Sequence, residues 1–325
     1  MLSEGVDHVN NLIRRALPGA AAVLALTCAT ALAGAPSAQQ PAAEKPAAKP
    51  DAPQQAEPKP GEIRNGATQS EIDKALGERL KQISAKKPAD WTADELAERV
   101  AISYRGFNFS QLKKVYNTGR EEGRISIVTT NGELGGTYVR RYVDGPKKEN
   151  DRMRLDIIFE TSPKPEQQLR YSLTYNGASV WAAQDGRYVS PDTAAATAFR
   201  ASVLNDYTAL FRWQEDGDTL VRLPGRTIQG LPFEVIEATR PDGTKIRFLI
   251  SDKTFRVLHV EYDISLAEGQ PPVTFRESYS DFKVVQEVLV PTKRKLRQND
   301  QLVQTIEIAN ATYGVALDDS VFLQI

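Results

Sequence analysis

Two hydrophobic periods divide the chain. From residue 68 to about 104 the apolar positions recur every three or four residues. Ile72, Leu76, Leu80 and Ile83 form one stripe, predicting a helix from Thr68 or Ser70 to Ser84. Thr92-Ala93-Asp94-Glu95 reads as a capping box that starts a second helix, with Leu96, Val100 and Tyr104 on its apolar face and Gly106 near its end. A short third helix is expected over Ser110–Tyr116.

From Gly123 the period falls to two. Met153, Leu155, Ile157 and Phe159 alternate with Arg152, Arg154, Asp156 and Ile158, and Leu169, Tyr171, Leu173 and Tyr175 alternate with polar residues. One apolar face per strand is the signature of an antiparallel sheet. Turn signals follow at Asn131-Gly132, Asn176-Gly177, Asp185-Gly186, Gln229-Gly230 and Asp242-Gly243. Further strands are expected at about 218–229, 232–239, 244–251, 255–264, 273–284, 288–298 and 301–312. The run is interrupted once. Ser190-Pro191-Asp192 predicts a helix start with proline at the first helical position, and Phe199, Val203, Tyr207, Leu210 and Phe211 continue an apolar stripe to Trp213. The expected fold is mainly β (α+β). About eleven strands in meander order form a single curved antiparallel sheet or unclosed barrel wrapped around this helix, with helices at the N-terminal side.

The N-terminal residues are of another kind. Arg14 and Arg15 precede an apolar run from Ala16 to Ala33, and Ala31-Leu32-Ala33 suits a cleavage site, so residues 1–33 are read as a signal peptide. An uncleaved membrane anchor is the alternative. From Gly34 to Glu62 there are seven prolines and eight alanines in 29 residues, and no larger apolar side chain. Residues 34–67 are therefore expected to be a disordered linker, and 68–325 the folded domain. The inferred address is the periplasm.

Composition removes whole classes of chemistry. Lys+Arg 41 against Asp+Glu 42 gives a net charge of −1, which argues against a general nucleic-acid binder. One cysteine and two histidines leave no disulfide, no thiolate metal cluster and little for a triad. His259 could serve a serine as base, but no Gly-x-Ser-x-Gly elbow occurs, and a surface or cross-strand histidine is the expected reading. Asp318-Asp319 reads as a turn rather than a metal site, and Lys293-Arg294-Lys295 with Arg297 as the wet side of an edge strand. No catalytic residue, metal or cofactor is expected, and the chain is expected to be a monomer.

Several ordered segments resemble the LolA-like superfamily of outer-membrane lipoprotein carriers and lipoprotein-sorting-like exported proteins. They are Ala93–Ala97, Leu112-Lys113-Lys114, Glu122-Gly123-Arg124, Tyr175-Asn176-Gly177 with Trp181, Gly230–Ile236 with Pro241-Asp242-Gly243, Tyr279–Phe282 through Val290-Pro291, and Leu317–Phe322. The resemblance spans most of residues 92–325. It implies an unclosed antiparallel barrel around a helix, with a hydrophobic cavity for acyl chains. A cavity-controlling strand arginine in a Lys-Arg-Pro context would correspond to Arg141, with Tyr142 in the proline's place.

The expected ligand-binding set is Arg141, Leu155, Ile157, Tyr171, Leu173, Trp181, Phe199, Val203, Tyr207 and Leu210. The same aromatic residues could equally pack as a solid core. The leading functional expectation is a non-catalytic protein binding lipid or lipoprotein acyl chains. The alternative is an envelope sensor or scaffold that grips a protein partner in the same groove. A hydrolase stands third. Deleting residues 34–62 is expected to leave the melting temperature of the folded domain unchanged, as measured by circular dichroism.

Overall fold

The computed structural model describes residues 69–105, 117–130 and 132–323. The proposed leader (1–33), linker (34–67) and short helix over 110–116 lie outside the described residues. Helix α1 (Gln69–Ser84) packs on α2 (Ala93–Arg105). Trp91 between them donates its indole N–H to the Ile83 carbonyl at 2.9 Å, and Arg79 pairs with Glu98 at 2.6 Å. The capping box forms as read: Glu95 N–H donates to Thr92 Oγ1 at 3.2 Å, and Thr92 N–H to the Glu95 carboxylate at 3.0 Å. Leu96, Val100 and Tyr104 are all buried.

Thirteen strands form one antiparallel sheet. In chain order they are β1 (Thr118–Thr129), β2 (Gly132–Val143), β3 (Arg152–Phe159), β4 (Leu169–Tyr175), β5 (Val180–Gln184), β6 (Arg187–Val189), β7 (Thr219–Ile228), β8 (Leu231–Thr239), β9 (Lys245–Ser251), β10 (Val257–Ile264), β11 (Val273–Val285), β12 (Val288–Gln298) and β13 (Gln301–Tyr313). The two strands beyond the expected eleven are β5 and β6. They are short, and Val180-Trp181-Ala182-Ala183 lacks alternation. The first strand also starts five residues earlier than Gly123, at Thr118.

The order is not one uninterrupted meander. It runs β6-β5-β4-β3-β2-β1-β13-β12-β11-β10-β9-β8-β7, so the first strand pairs with the last and the two edges are β6 and β7. The chain leaves one edge and re-enters at the other through residues 190–218. This connection carries α3 (Thr193–Leu204), a 3-10 turn (Tyr207–Phe211) and the single turn α4 (Trp213–Asp216). The single helix expected up to Trp213 is therefore broken at Asn205-Asp206. The cap is Asp192, which accepts from the N–H groups of Ala194 and Ala195, so Pro191 lies just outside the helix. The break has a cause: Asp206 turns its carboxylate back to cap the 3-10 turn at Thr208 N–H (3.1 Å) and to meet two cations described below.

Tight turns obey local stereochemistry. Asp185-Gly186 and Gln229-Gly230 both take left-handed φ values, 49° and 76°, and 51° and 78°, as two-residue hairpins require. Gly123 serves a different need. At the bulge between Glu122 and Gly123, a Cβ on residue 123 would lie 2.0 Å from the Glu307 carbonyl oxygen and 2.9 Å from the Ala309 nitrogen. Both obstacles are backbone, so neither can rotate away. Gly123→Ala is expected to cost about 1–3 kcal/mol, read as a lowered urea midpoint at unchanged m-value.

Candidate functional site

Strand register assigns the expected site residues to faces. Leu155 opposes Leu173, and Ile157 opposes Tyr171, so these four share the helix-facing side. Phe199 and Val203 of α3, with Tyr207 and Leu210 of the 3-10 turn, belong to the same continuous buried cluster. Arg141 and Trp181 stand on the opposite side. Arg141 opposes Arg154 and pairs with Asp156 at 2.6 Å; Trp181 opposes Thr174, with the Arg154 guanidinium 5.8 Å from its ring. The closing 3-10 turn (Asp319–Phe322) covers that patch: Arg154 donates to the Val321 carbonyl at 3.2 Å, Arg152 pairs with Asp319 at 2.8 Å, and Phe322 is buried. A one-residue step along a strand changes its face, so the arginine that points inward is Arg140.

Arg140 belongs to a buried ion cluster. Its guanidinium lies 3.1 Å from Glu121 and 3.7 Å from Asp206. Arg294 reaches Glu121 at 3.1 Å from the other side. Lys148 bridges Asp151 (3.0 Å) and Asp206 (3.2 Å), and Arg212 donates to Asp151 at 2.8 Å. Glu121 and Arg140 face each other across β1 and β2; Asp206 and Arg212 come from the connection that crosses the sheet. Burial alone would raise Glu121 and Asp206. The facing cations outweigh it and hold both carboxyls below their ordinary range.

Sequence reasoning missed Arg294 and Glu121. Arg294 is 6% exposed, and its strand, β12, lies inside the sheet rather than at an edge. The signal was its phase: Val288, Val290 and Leu296 are buried on the same alternation as Arg294. Glu121 shares the phase of Ile125 and Ile127 in the same way.

The cluster encloses a cavity of ≈ 40 Å³, lined by Glu121, Arg140 and Arg294 of the sheet and by Asp206, Thr208 and Arg212 of the connection, among others. That is room for about three waters, far below the roughly 300 Å³ at which ligand pockets begin. Val203 and Tyr207 also line it, whereas Leu155, Ile157, Tyr171, Leu173, Phe199 and Leu210 are packed as core. At the rim, burial pushes the Asp144 carboxyl up to about 7 against the pull of Lys148 and Arg212.

His259 lies elsewhere. Its Nδ1 is 2.9 Å from Ser278 Oγ, its ring packs 5.3 Å from that of Phe233, and burial pushes it down to about 4. Neither His259 nor Ser278 lines the cavity. Asp318 caps the closing turn through Ser320 N–H at 2.7 Å.

The chain is similar to several solved structures. An outer membrane lipoprotein-sorting protein domain from Vibrio parahaemolyticus shares 11% identity over 71% of this chain and 95% of its own, with a TM-score of 0.47. A DUF1329 family protein from Desulfovibrio piger shares 14% identity over 71% and 95%, at 0.46. A LolA superfamily protein from Nitrosomonas europaea shares 14% over 72% and 98%, at 0.45. No protein-family model and no curated protein matches the chain. At these identities the likeness is one of fold.

Asp144 offers a test of the electrostatics. Its carboxyl is raised in the folded state, so the fold favours the protonated form. Ionisation costs stability as pH rises from about 4 to 7, and the cost is complete above that. The side chain remains 26% exposed, which limits the effect. Asp144→Asn is expected to stabilise the protein by about 1–2 kcal/mol at pH 8 and by nothing near pH 4. Paired thermal melts at the two pH values check it.

Proposed function

We propose that this chain is an exported, non-catalytic binding protein that takes an acyl chain of a lipid or lipoprotein against the helix-facing side of β3–β5. The observation that carries the reading is the seam. The sheet is open between β6 and β7, and the segment joining those edges lies over the apolar inner face. Its helix is rich in alanine (Thr-Ala-Ala-Ala-Thr-Ala-Phe-Arg-Ala-Ser-Val-Leu). Small side chains give up little burial when the helix moves, since stabilisation scales at about 25 cal/mol per Å². An acyl chain entering at the seam would replace Phe199, Val203, Tyr207 and Leu210 against Leu155, Ile157, Tyr171 and Leu173. The export address rests on the leader and linker read from residues 1–67.

The closed state of the interior favours a second reading, an envelope scaffold that recognises a protein partner through the same groove. Hydrogen exchange distinguishes the two. Titration with a fluorescent fatty acid is expected to show saturable binding and to lower amide protection in residues 193–204 while β3 and β4 stay protected. No binding by the wild-type protein overturns the acyl-chain reading and leaves the scaffold.

A further inference from the structure

The charged cavity has an uneven hydrogen-bond ledger. Three of its four carboxylates are engaged: Glu121 accepts from Arg140 and Arg294, Asp206 from Lys148 and Thr208, and Asp151 from Arg212, Lys148 and the Gly145 N–H. Donors are left over. The Nε–H groups of Arg140 and Arg294 are buried without a partner, and so is the hydroxyl of Tyr138, one helix-facing position before Arg140 on β2. Buried donors of this kind are ordinarily satisfied. The two guanidinium Nε–H groups lack an acceptor.

Charge points the same way. Arg140, Lys148, Arg212 and Arg294 face Glu121, Asp144, Asp151 and Asp206 in the cavity, four cations against four carboxylates, while Arg152 is taken up by Asp319. The rise of Asp144 toward neutrality tips this balance toward positive charge. A volume of ≈ 40 Å³ suits one small group of a few oxygens. Guanidinium forks match the planar or tetrahedral oxygens of carboxylate and phosphate.

We propose that this cavity binds one anionic oxygen group, a carboxylate or phosphate, through Arg140 and Arg294. Resting on the acyl-chain reading above, the ligand class is then an anionic amphiphile. Its headgroup sits between β1, β2, β12 and the 3-10 turn, and its chain runs under α3. A free inorganic anion is the other source of the same chemistry.

The test is a titration series on the full chain followed by calorimetry, using decyl phosphate, decanoate, decanol and inorganic phosphate. Decyl phosphate and decanoate are expected to bind at least about tenfold more tightly than decanol, the ratio given by one or two charge-assisted hydrogen bonds. Arg140→Lys and Arg294→Lys keep the charge but remove the fork; each is expected to narrow that ratio to below about threefold. Melting curves of both variants establish that they fold, and two independent variants guard against one failing. Equal affinity for all three decyl compounds overturns the headgroup proposal and leaves the acyl-chain reading standing. Binding of inorganic phosphate with no decyl compound bound overturns the acyl-chain reading and keeps the anion site. Binding of none of the four overturns both.

Discussion

Asp206 holds the inserted segment in place. Its carboxylate caps the 3-10 turn, faces Arg140 from the sheet and Lys148 from the β2–β3 connection, and breaks the helix that the apolar stripe would otherwise continue. Burying so many charges is expensive unless every member is matched. The cluster is matched in its ion pairs, and the arrangement works only with the segment seated. Apolar packing under α3 is non-directional and would tolerate several seatings. The ion cluster selects one, which is why the tip of the connection sits on β1, β2 and β12 and not elsewhere on the sheet.

The two halves of the interior therefore do different work. Around β3–β5 and β8–β10 the helix-facing residues are aliphatic and aromatic, and they form the bulk of the core. Along β1, β2 and β12 the same phase carries Glu121, Arg140 and Arg294. Tyr207 joins them, with its ring 5.0 Å from that of Tyr279 and 5.4 Å from that of Tyr104 on α2. One face of a single sheet is thus apolar at its flanks and ionic at its centre. A ligand complementary to both would be long, apolar and charged at one end.

Much of this was legible in the chain. The alternation at Met153–Phe159 and Leu169–Tyr175 placed Leu155, Ile157, Tyr171 and Leu173 on one side, and the Thr92–Glu95 box forms atom for atom. Three things were not legible, each for a physical reason. Arg140 and Arg141 are adjacent and identical, and only pairing with β3 decides which turns inward. Lys293-Arg294-Lys295 has the composition of a wet strand, and burial of its middle member depends on partners distant in sequence, Glu121 above all. Trp181 looks like core by size, yet the register of β5 sends it to the other side, where the Arg154 guanidinium lies over its ring.

The pairing of β1 with β13 has a consequence for how the molecule comes to exist. The segments on either side of the connection, β1–β6 and β7–β13, are each built from hairpins between sequence neighbours, which close cheaply and early. Joining them requires β13, the final strand. Thr118 at the start of β1 donates its hydroxyl to Val315, 197 residues away. A chain emerging N-terminus first can therefore complete its hairpins early, but it cannot assemble the central ionic strip until β13 arrives. Until then Glu121 and Arg140 lack Arg294, and the connection is held by α3 on β4 and β5 and by Asp206 and Arg212 on Arg140, Lys148 and Asp151. Topology makes the ionic strip, and not the apolar packing of α3 on β4 and β5, the part of the interior that waits for β13.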